Sequence, residues 1–312
     1  MRYAVHRLAG MVAVLACVAV AVFLIVRVMP GDPATILVGD NSTPEAAERM
    51  RATLGLDRPI PLQFAIWIAA LCRGDLGQSI FLNEPVASLL LQRAEPTTLL
   101  TLMALAVAIT LAMPAGIIAA VLRGSAIDRL ILGLAMLGAS VPSFWLGLLF
   151  ISYFAVDLGW FPVSGYGPPD AGWLERTQYL LLPAIVLGLL NSALITRVTR
   201  SAMLDVLHEN FILTGRARGL SGWAVVMKHA LRNALVPILT VIGLSLALLM
   251  GGAIVIETVF ALPGIGNLVV SAVQRRDYPV IQGSLLVVAG LYVLINLGID
   301  LLYAAIDPRV RS

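Results

Sequence analysis

A basic stretch, residues 197–232, lies between two long apolar segments and holds the side chains best placed to make charged contacts. Guanidinium groups form short, strong hydrogen bonds to carboxylates and phosphates. Such a stretch is either a passive loop that fixes topology or a surface that binds a soluble partner, and we favour the second as a hypothesis. Its acids are Asp205 and Glu209, and its basic residues are Arg197, Arg200, Arg216, Arg218, Lys228 and Arg232.

No catalytic or metal-binding motif accompanies these charges. The sole lysine, Lys228, is followed by His229, so the sequence has no Walker A motif and should not hydrolyse ATP through a P-loop. It also lacks the His-Glu-x-x-His and Gly-x-Ser-x-Gly motifs of hydrolases. Cys17 and Cys72 form no disulfide or metal-ligand pattern. We therefore expect a protein that is not an enzyme and has no cofactor, metal or nucleic acid of its own.

The elements that position the basic stretch are predicted to be membrane helices. Hydrophobic residues make up 59% of the chain and charged residues 12%, whereas soluble domains carry about 25% charged residues. A helix of about 20 apolar residues crosses the hydrocarbon core of a bilayer. The sequence therefore predicts an all-α membrane protein with six transmembrane helices, at residues 8–28, 97–122, 130–155, 179–196, 233–256 and 281–304.

The first apolar run, residues 8–28, is typical of either a signal peptide or an uncleaved span. It is longer than the usual signal core of about 7–15 residues, and Pro30 follows it instead of a small-x-small cleavage site. We interpret it as a span. This gives three parts: residues 1–29 with the first helix, an insertion at 30–96, and a core of five predicted spans at 97–312.

The insertion, residues 30–96, is the least hydrophobic part of the chain. Pro44 after Thr43 predicts a short helix that begins at Pro44. Residues 62–72 are apolar but too short to cross a membrane. Because the insertion keeps aromatic residues to bury, among them Trp67, we expect it to be ordered.

The distribution of charge predicts the orientation. Residues 1–7, 123–129, 197–232 and 305–312 together hold 12 of the 21 lysines and arginines, and 13 of the 18 acids fall in the remaining non-apolar segments. Under the positive-inside rule, both termini and the basic stretch then face the cytosol, and the insertion is extracytoplasmic.

A family resemblance makes the basic stretch more specific. Residues 209–221 (ENFILTGRARGLS) and 229–237 (HALRNALVP) resemble the EAA loop of ATP-binding cassette (ABC) importer permeases, and more narrowly the B-type membrane subunit of dipeptide and oligopeptide permeases. The Glu-Ala-Ala triplet falls on Leu213-Thr214-Gly215, so the match to the general pattern rests on Gly219. Other matching segments follow in order along the chain: 29–33 (MPGDP), 54–59 (LGLDRP), 74–77 (GDLG), 140–144 (SVPSF), 257–260 (ETVF), 263–266 (PGIG), 277–283 (DYPVIQG) and 307–311 (DPRVR).

The resemblance implies a type I ABC importer permease fold in the bacterial cytoplasmic (inner) membrane. It implies import of dipeptides, oligopeptides or similar small solutes, with ATP and Mg bound by partner chains. The implied partners, besides the lipid bilayer, are a second homologous permease subunit in a heterodimer, two ABC ATPase subunits and an extracytoplasmic solute-binding protein.

The resemblance also assigns two sites. A coupling helix near residues 209–221 would dock on an ATPase, with Phe211, Ile212 and Leu220 as an apolar anchor and with glycines that allow close backbone approach. An extracytoplasmic gate and docking face would be formed by Pro263, Gly264, Ile265, Gly266, Asp277 and Tyr278. The residues assigned to ATPase coupling are Glu209, Phe211, Thr214, Gly215, Arg216, Ala217, Arg218, Gly219 and Leu220.

Two other classes of function are alternatives. A stand-alone secondary transporter or channel predicts ionisable residues at the membrane midplane and an inverted internal repeat, and the sequence shows neither. A membrane enzyme would need a catalytic constellation, and the sequence contains none of the hydrolase motifs named above.

Overall fold

A computed structural model describes residues 2–28, 33–38, 43–53, 55–168, 170 and 172–306. The matching motif at 29–33 falls largely outside these residues, as do the motif at 307–311 and the C-terminal residues. Within the described residues the chain is α-helical. Its helices are α1 (Arg2–Val28), α2 (Pro33–Val38), α3 (Pro44–Thr53), α4 (Ile60–Leu71), α5 (Val86–Val121), α6 (Ala126–Ser140), α7 (Ser143–Phe150), α8 (Trp173–Leu207), α9 (Asn210–Ala217), α10 (Leu231–Val259), α11 (Ile265–Arg275) and α12 (Tyr278–Ile306).

The six predicted spans correspond to five long apolar helices and one bent pair of helices. Several helices extend beyond the apolar runs: α5 begins at Val86, and α8 covers 35 residues, from Trp173 to Leu207. Proline is tolerated inside α5, α8 and α10 because neighbouring groups satisfy the freed carbonyls. The all-α membrane architecture predicted from the sequence is confirmed.

The third predicted span, residues 130–155, is not one continuous helix. Helix α6 ends at Ser140, and the segment Ser143–Asp157, which is α7 and a π-helical stretch, leaves at an angle of 100°. Val141 and Pro142 lie between the two with extended backbone angles. Proline disfavours helical conformation in the residue before it, so Pro142 accounts for the break.

The chain forms two compact units. The first contains Met1–Glu95 and Asn267–Val293. In it α4 packs on α1 through an aromatic cluster: the ring centroids of Phe23 and Phe64 are 5.1 Å apart, and those of Phe23 and Trp67 are 5.6 Å apart. The predicted helix beginning at Pro44 is present as α3.

A short turn in the first unit is fastened by a buried acid. Residues Gln78 and Pro85 pair in an antiparallel bridge, and the turn that they close is bound by Asp277. The Ser79 hydroxyl donates to Asp277 Oδ2 at 2.5 Å, and the Ile80 amide donates to Oδ1 at 3.2 Å.

The second unit contains Pro96–Gly266 and Leu294–Ser312. Its core consists of buried side chains from α5, α8 and α10, such as Leu100, Leu187 and Ile256. Helices α5 and α8 cross closely at glycines: a Cβ added to Gly188 would lie 2.7 Å from the Ala104 carbonyl oxygen. Small residues of this kind let membrane helices approach to backbone contact.

Candidate functional site: a short helix between two long ones

The basic stretch 197–232 is mostly helical. Its first part is the end of α8, its middle is the eight-residue helix α9, and its last part is a π-helical stretch (Ala224–Ala230) that runs into α10. The helix expected near residues 209–221 is therefore present. Its neighbours are continuations of long apolar helices, not the extended loop that a polar run suggests.

The end of α9 is fixed by a glycine. Gly219 has φ of +82°, a left-handed conformation that residues with a Cβ adopt at a cost. The Gly219 amide donates to the Arg216 carbonyl at 2.9 Å, and the Leu220 amide donates to the Gly215 carbonyl at 3.2 Å. This pair of bonds is the Schellman motif that ends helices, so the glycine singled out in the sequence has a structural reason.

One side of α9 packs against the core of the second unit. Ile212 is 1% exposed and lies in a cluster with Met203, Val225, Ala230 and Ile238. The expectation that Ile212 forms part of an apolar anchor for a partner is wrong, because its side chain is already buried within the chain. It instead attaches α9 to α8 and α10.

The flanks of α9 and the residues just after it are exposed. Phe211 is 46% exposed, Leu213 53% and Leu220 42%. Arg216 and Arg218 are exposed as well, and Glu209 lies at the N-cap position without a side-chain capping bond. Large apolar side chains exposed beside arginines are typical of a protein-binding surface.

A groove runs between α9 and the π-helical stretch. Its volume is about 330 Å³. Apolar residues predominate in its lining, Arg218 and His229 are the basic members, and no acid takes part. The lining residues are Phe211, Ile212, Thr214, Gly215, Arg218, Leu220, Val225 and His229.

The structure thus brings the residues assigned to coupling together. Phe211, Thr214, Gly215, Arg218 and Leu220 line the groove. The other four are Glu209, Arg216, Ala217 and Gly219, which lie on or next to α9 and are exposed.

The residues assigned to the gate fall in both units. In the second unit Gly264, Ile265 and Gly266 are buried, while Pro263 is exposed. Asp277 and Tyr278 belong to the first unit and are also buried. Asp277 fastens the turn at Ser79 described above.

A buried carboxylate lies beside the gate residues of the second unit, and no motif in the sequence predicted it. Glu257, placed by the sequence at the end of a span, is 0% exposed. The Thr97 hydroxyl donates to Glu257 Oε1 at 2.6 Å and accepts from the Ile265 amide at 2.8 Å. A Cβ on Gly264 or Gly266 would collide with the Glu257 carboxylate. The glycines of the PGIG motif are therefore explained by close packing on this acid.

Among the residues that the structure describes, no group of three or more His, Cys, Asp or Glu side chains could hold a metal ion.

Two family models together match nearly the whole chain. Residues 112–312 match the model described as "binding-protein-dependent transport system inner membrane component", and residues 1–101 match the N-terminal model of such membrane components. The chain belongs to this family. It is a multi-pass permease of a bacterial inner membrane.

Similar proteins cover almost all of this permease. A probable peptide ABC transporter permease protein of Sinorhizobium fredii is 43% identical over 309 residues, 99% of each chain. A putative peptide transport system permease protein of Brucella abortus is 45% identical, over 98% of this chain and 97% of its own. The glutathione transport system permease protein of Escherichia coli K12 is 42% identical over 100% and 99%.

A solved structure shares the fold. A chain from the inward-facing MetNI methionine ABC transporter superposes with a TM-score of 0.59 at 20% identity, and the match covers 70% of this chain and 96% of that one. The type I importer fold expected from the sequence is confirmed. These relatives support an ABC importer subunit and do not favour a stand-alone secondary transporter or channel.

Proposed function

We propose that this permease forms the peptide path of an ABC importer and is driven by ATP hydrolysis on separate ATPase subunits. The observation that carries the proposal is α9, a short helix that is attached to the core by Ile212 and exposes Phe211 and Leu213, with Leu220 exposed just after it. A chain without a P-loop needs an external source of energy, and α9 with its groove offers a surface on which an ATPase could act.

The contact on the ATPase is expected to be acidic and apolar. The groove beside α9 is lined by Arg218 and His229 among apolar residues and by no acid. Charge-assisted hydrogen bonds from arginine to carboxylates give both strength and direction. We propose that ATP and Mg bind to two ABC ATPase subunits, that the coupling helix of each permease subunit docks on one of them, and that closure of the ATPase dimer pushes α9.

The remaining partners follow from the same proposal. A second homologous permease would complete a heterodimer around the path. With α9 in the cytosol, both termini are cytosolic and the segment 30–96 is extracytoplasmic. There it would contact a solute-binding protein. The buried Thr97–Glu257–Ile265 connection would hold the gate turn in shape while that protein docks.

The substrate class comes from the relatives. Those named above are described as peptide or glutathione permeases, and glutathione is itself a tripeptide. We propose short peptides as the transported solutes.

Copurification tests the coupling surface. The chain is expressed with a candidate second permease and candidate ABC ATPases from the same organism, and the complex is isolated in a mild detergent. The parent chain is expected to retain both ATPases. Arg218→Glu should weaken that retention, whereas Arg197→Glu, the same charge reversal on α8 outside the groove, should not. A parent chain that retains no ATPase would refute the proposal.

Transport tests the substrate class. Liposomes that contain the complex, with ATP at the ATPase side and the binding protein at the other, are given labelled dialanine, trialanine, pentaalanine or glutathione. ATP-dependent uptake of at least one of these peptides is expected. Uptake of none, with uptake of an unrelated solute, would contradict the peptide assignment.

A further inference from the structure

Helix α6 packs on α8 and buries one charged residue there. Asp128 is the only buried residue of its fifteen, and its side chain is 4% exposed. Several large apolar residues of α6 point outward, and four of them are more than half exposed: Leu130, Leu134, Met136 and Leu137. Ile131 and Leu132 are half-buried, so the one fully buried side chain of α6 is a charged one.

The Asp128 carboxylate is bound by a guanidinium in a fork. Arg200 on α8 donates from Nε to Oδ1 at 2.6 Å and from Nη2 to Oδ2 at 2.8 Å. The Gly124 amide also donates to Oδ2, at 2.9 Å. Paired parallel hydrogen bonds fix the relative orientation of two groups as well as their distance. The pair thus sets the angle at which the first turn of α6 meets α8.

A second bond joins the same region to the end of α8. Arg123 Nη1 donates to His208 Nε2 at 3.2 Å, and His208 Nδ1 donates to the Leu204 carbonyl oxygen at 2.6 Å. His208 follows the last residue of α8, and α9 begins at Asn210. The first turn of α6 is therefore bound to α8 at Arg200, and the α5–α6 connection is bound through Arg123 to His208, at the base of α9.

We propose that Asp128 and Arg200 are positioning residues that transmit a displacement of α9 to α6. The inference rests on the proposed role of α9. Helix α8 continues unbroken from Arg200 to Leu207, so a push on α9 moves Arg200, and the fork carries that movement into α6. At Ser140 the chain bends by 100° into α7, which packs against α10. A displacement of α9 would thus reach α7, which runs at 100° to α6 and packs against α10.

The geometry separates this role from simple helix capping. An aspartate in the first turn stabilises a helix without any arginine, through the backbone amides and the helix dipole. The Gly124 amide already supplies such a bond to the Asp128 carboxylate, and the Asp128 amide donates to the Ser125 hydroxyl, which caps the helix. Only the fork with Arg200 reaches another helix, and a lysine there would keep the charge but make a single, rotatable contact.

Coupling is measured with the complete transporter in liposomes. The readout is the number of labelled dialanine molecules imported per ATP hydrolysed, or of whichever peptide probe the parent imports. Arg200→Lys is expected to lower this ratio by roughly fivefold while ATP hydrolysis and assembly continue. The control is Arg197→Lys, the same substitution one turn earlier on α8, where the ratio should equal that of the parent. The double exchange of Asp128→Arg with Arg200→Asp rebuilds a fork in reverse and should recover part of the ratio.

The outcomes separate the two proposals. An unchanged ratio in Arg200→Lys overturns the inference and leaves the proposed function intact. If Arg200→Lys does not assemble, Asp128→Asn and the double exchange decide: loss of assembly in all three shows a structural role alone and also overturns the inference. A parent complex without ATP-dependent peptide uptake refutes the proposed function itself.

Discussion

Thr97 donates a 2.6 Å hydrogen bond to Glu257, a residue 160 positions further along the chain. The same hydroxyl accepts from the Ile265 amide, so one threonine connects the start of a span to the end of another and to the turn that follows it. The three groups are buried. A buried polar group that loses its partner costs far more than a surface one.

Thr97→Val keeps the shape of the side chain and removes both of these hydrogen bonds. We expect it to lower the free energy of unfolding by about 1–3 kcal/mol, seen as a lower midpoint of thermal unfolding in detergent. Thr97→Ser retains the hydroxyl and should lose much less. Equal midpoints for the valine and serine variants would contradict the importance of the hydroxyl.

Gly188→Ala tests the close crossing of α5 and α8. The new methyl group would lie 2.7 Å from the Ala104 carbonyl oxygen and 2.8 Å from the Val107 Cβ, and backbone cannot move aside as a flexible side chain does. Overpacking of this kind costs about 1–3 kcal/mol. Gly133→Ala on α6, where no atom lies within 4 Å, should be neutral or stabilising by up to about 1 kcal/mol. Equal thermal midpoints for the Gly188→Ala and Gly133→Ala variants would contradict close packing at this crossing.

Asp277→Ala should loosen the turn between Gln78 and Pro85. The variant removes the acceptor of the Ser79 hydroxyl and of the Ile80 amide. Hydrogen exchange at the Ile80 amide is expected to accelerate, because exchange reports local opening. Glu84→Ala changes an exposed acid in the same turn and serves as the control. Unchanged protection of Ile80 in Asp277→Ala would show that the turn is held by other contacts.

Two neighbouring residues of α9 should separate folding from partner binding. Ile212→Ala empties a buried site and is expected to cost about 2–5 kcal/mol of stability. Phe211→Ala alters an exposed side chain and should leave the thermal midpoint nearly unchanged while it weakens retention of the ATPases. The measurements are unfolding of the isolated permease and copurification of the complex. A large loss of stability in Phe211→Ala would place that residue in the core instead.

The sequence predicted the class of the fold because hydropathy alone identifies apolar runs of membrane length. It did not predict where helices end. Helix α8 continues beyond its apolar run, through polar residues, to Leu207, because packing against the core of the second unit stabilises this part of the helix. It also did not predict the break after Ser140, although Pro142 was visible. A proline inside a membrane helix either kinks or breaks it, and packing decides which.

The sequence motif located the candidate site, but it did not show which residues of α9 are buried and which are exposed. Ile212 and Phe211 are adjacent and both apolar, and the sequence offered no reason to treat them differently. Their fates diverge because an eight-residue helix exposes one side and buries the other against α8 and α10. The burial of Glu257 was missed for a related reason: its partner, Thr97, is distant in the chain and lies in no shared motif.

The Schellman turn at Gly219 and the burial of Ile212 have a consequence for engineering. The surface of α9 is specified by its eight residues, but its placement is specified by Met203, Val225 and Ile238 in the helices on either side. An α9 sequence moved alone into another permease would carry the contact residues without the neighbouring side chains that orient them. To exchange ATPase specificity between such transporters, one should therefore transfer the whole segment from α8 to the start of α10. In evolution, the residues of this segment would have to change together.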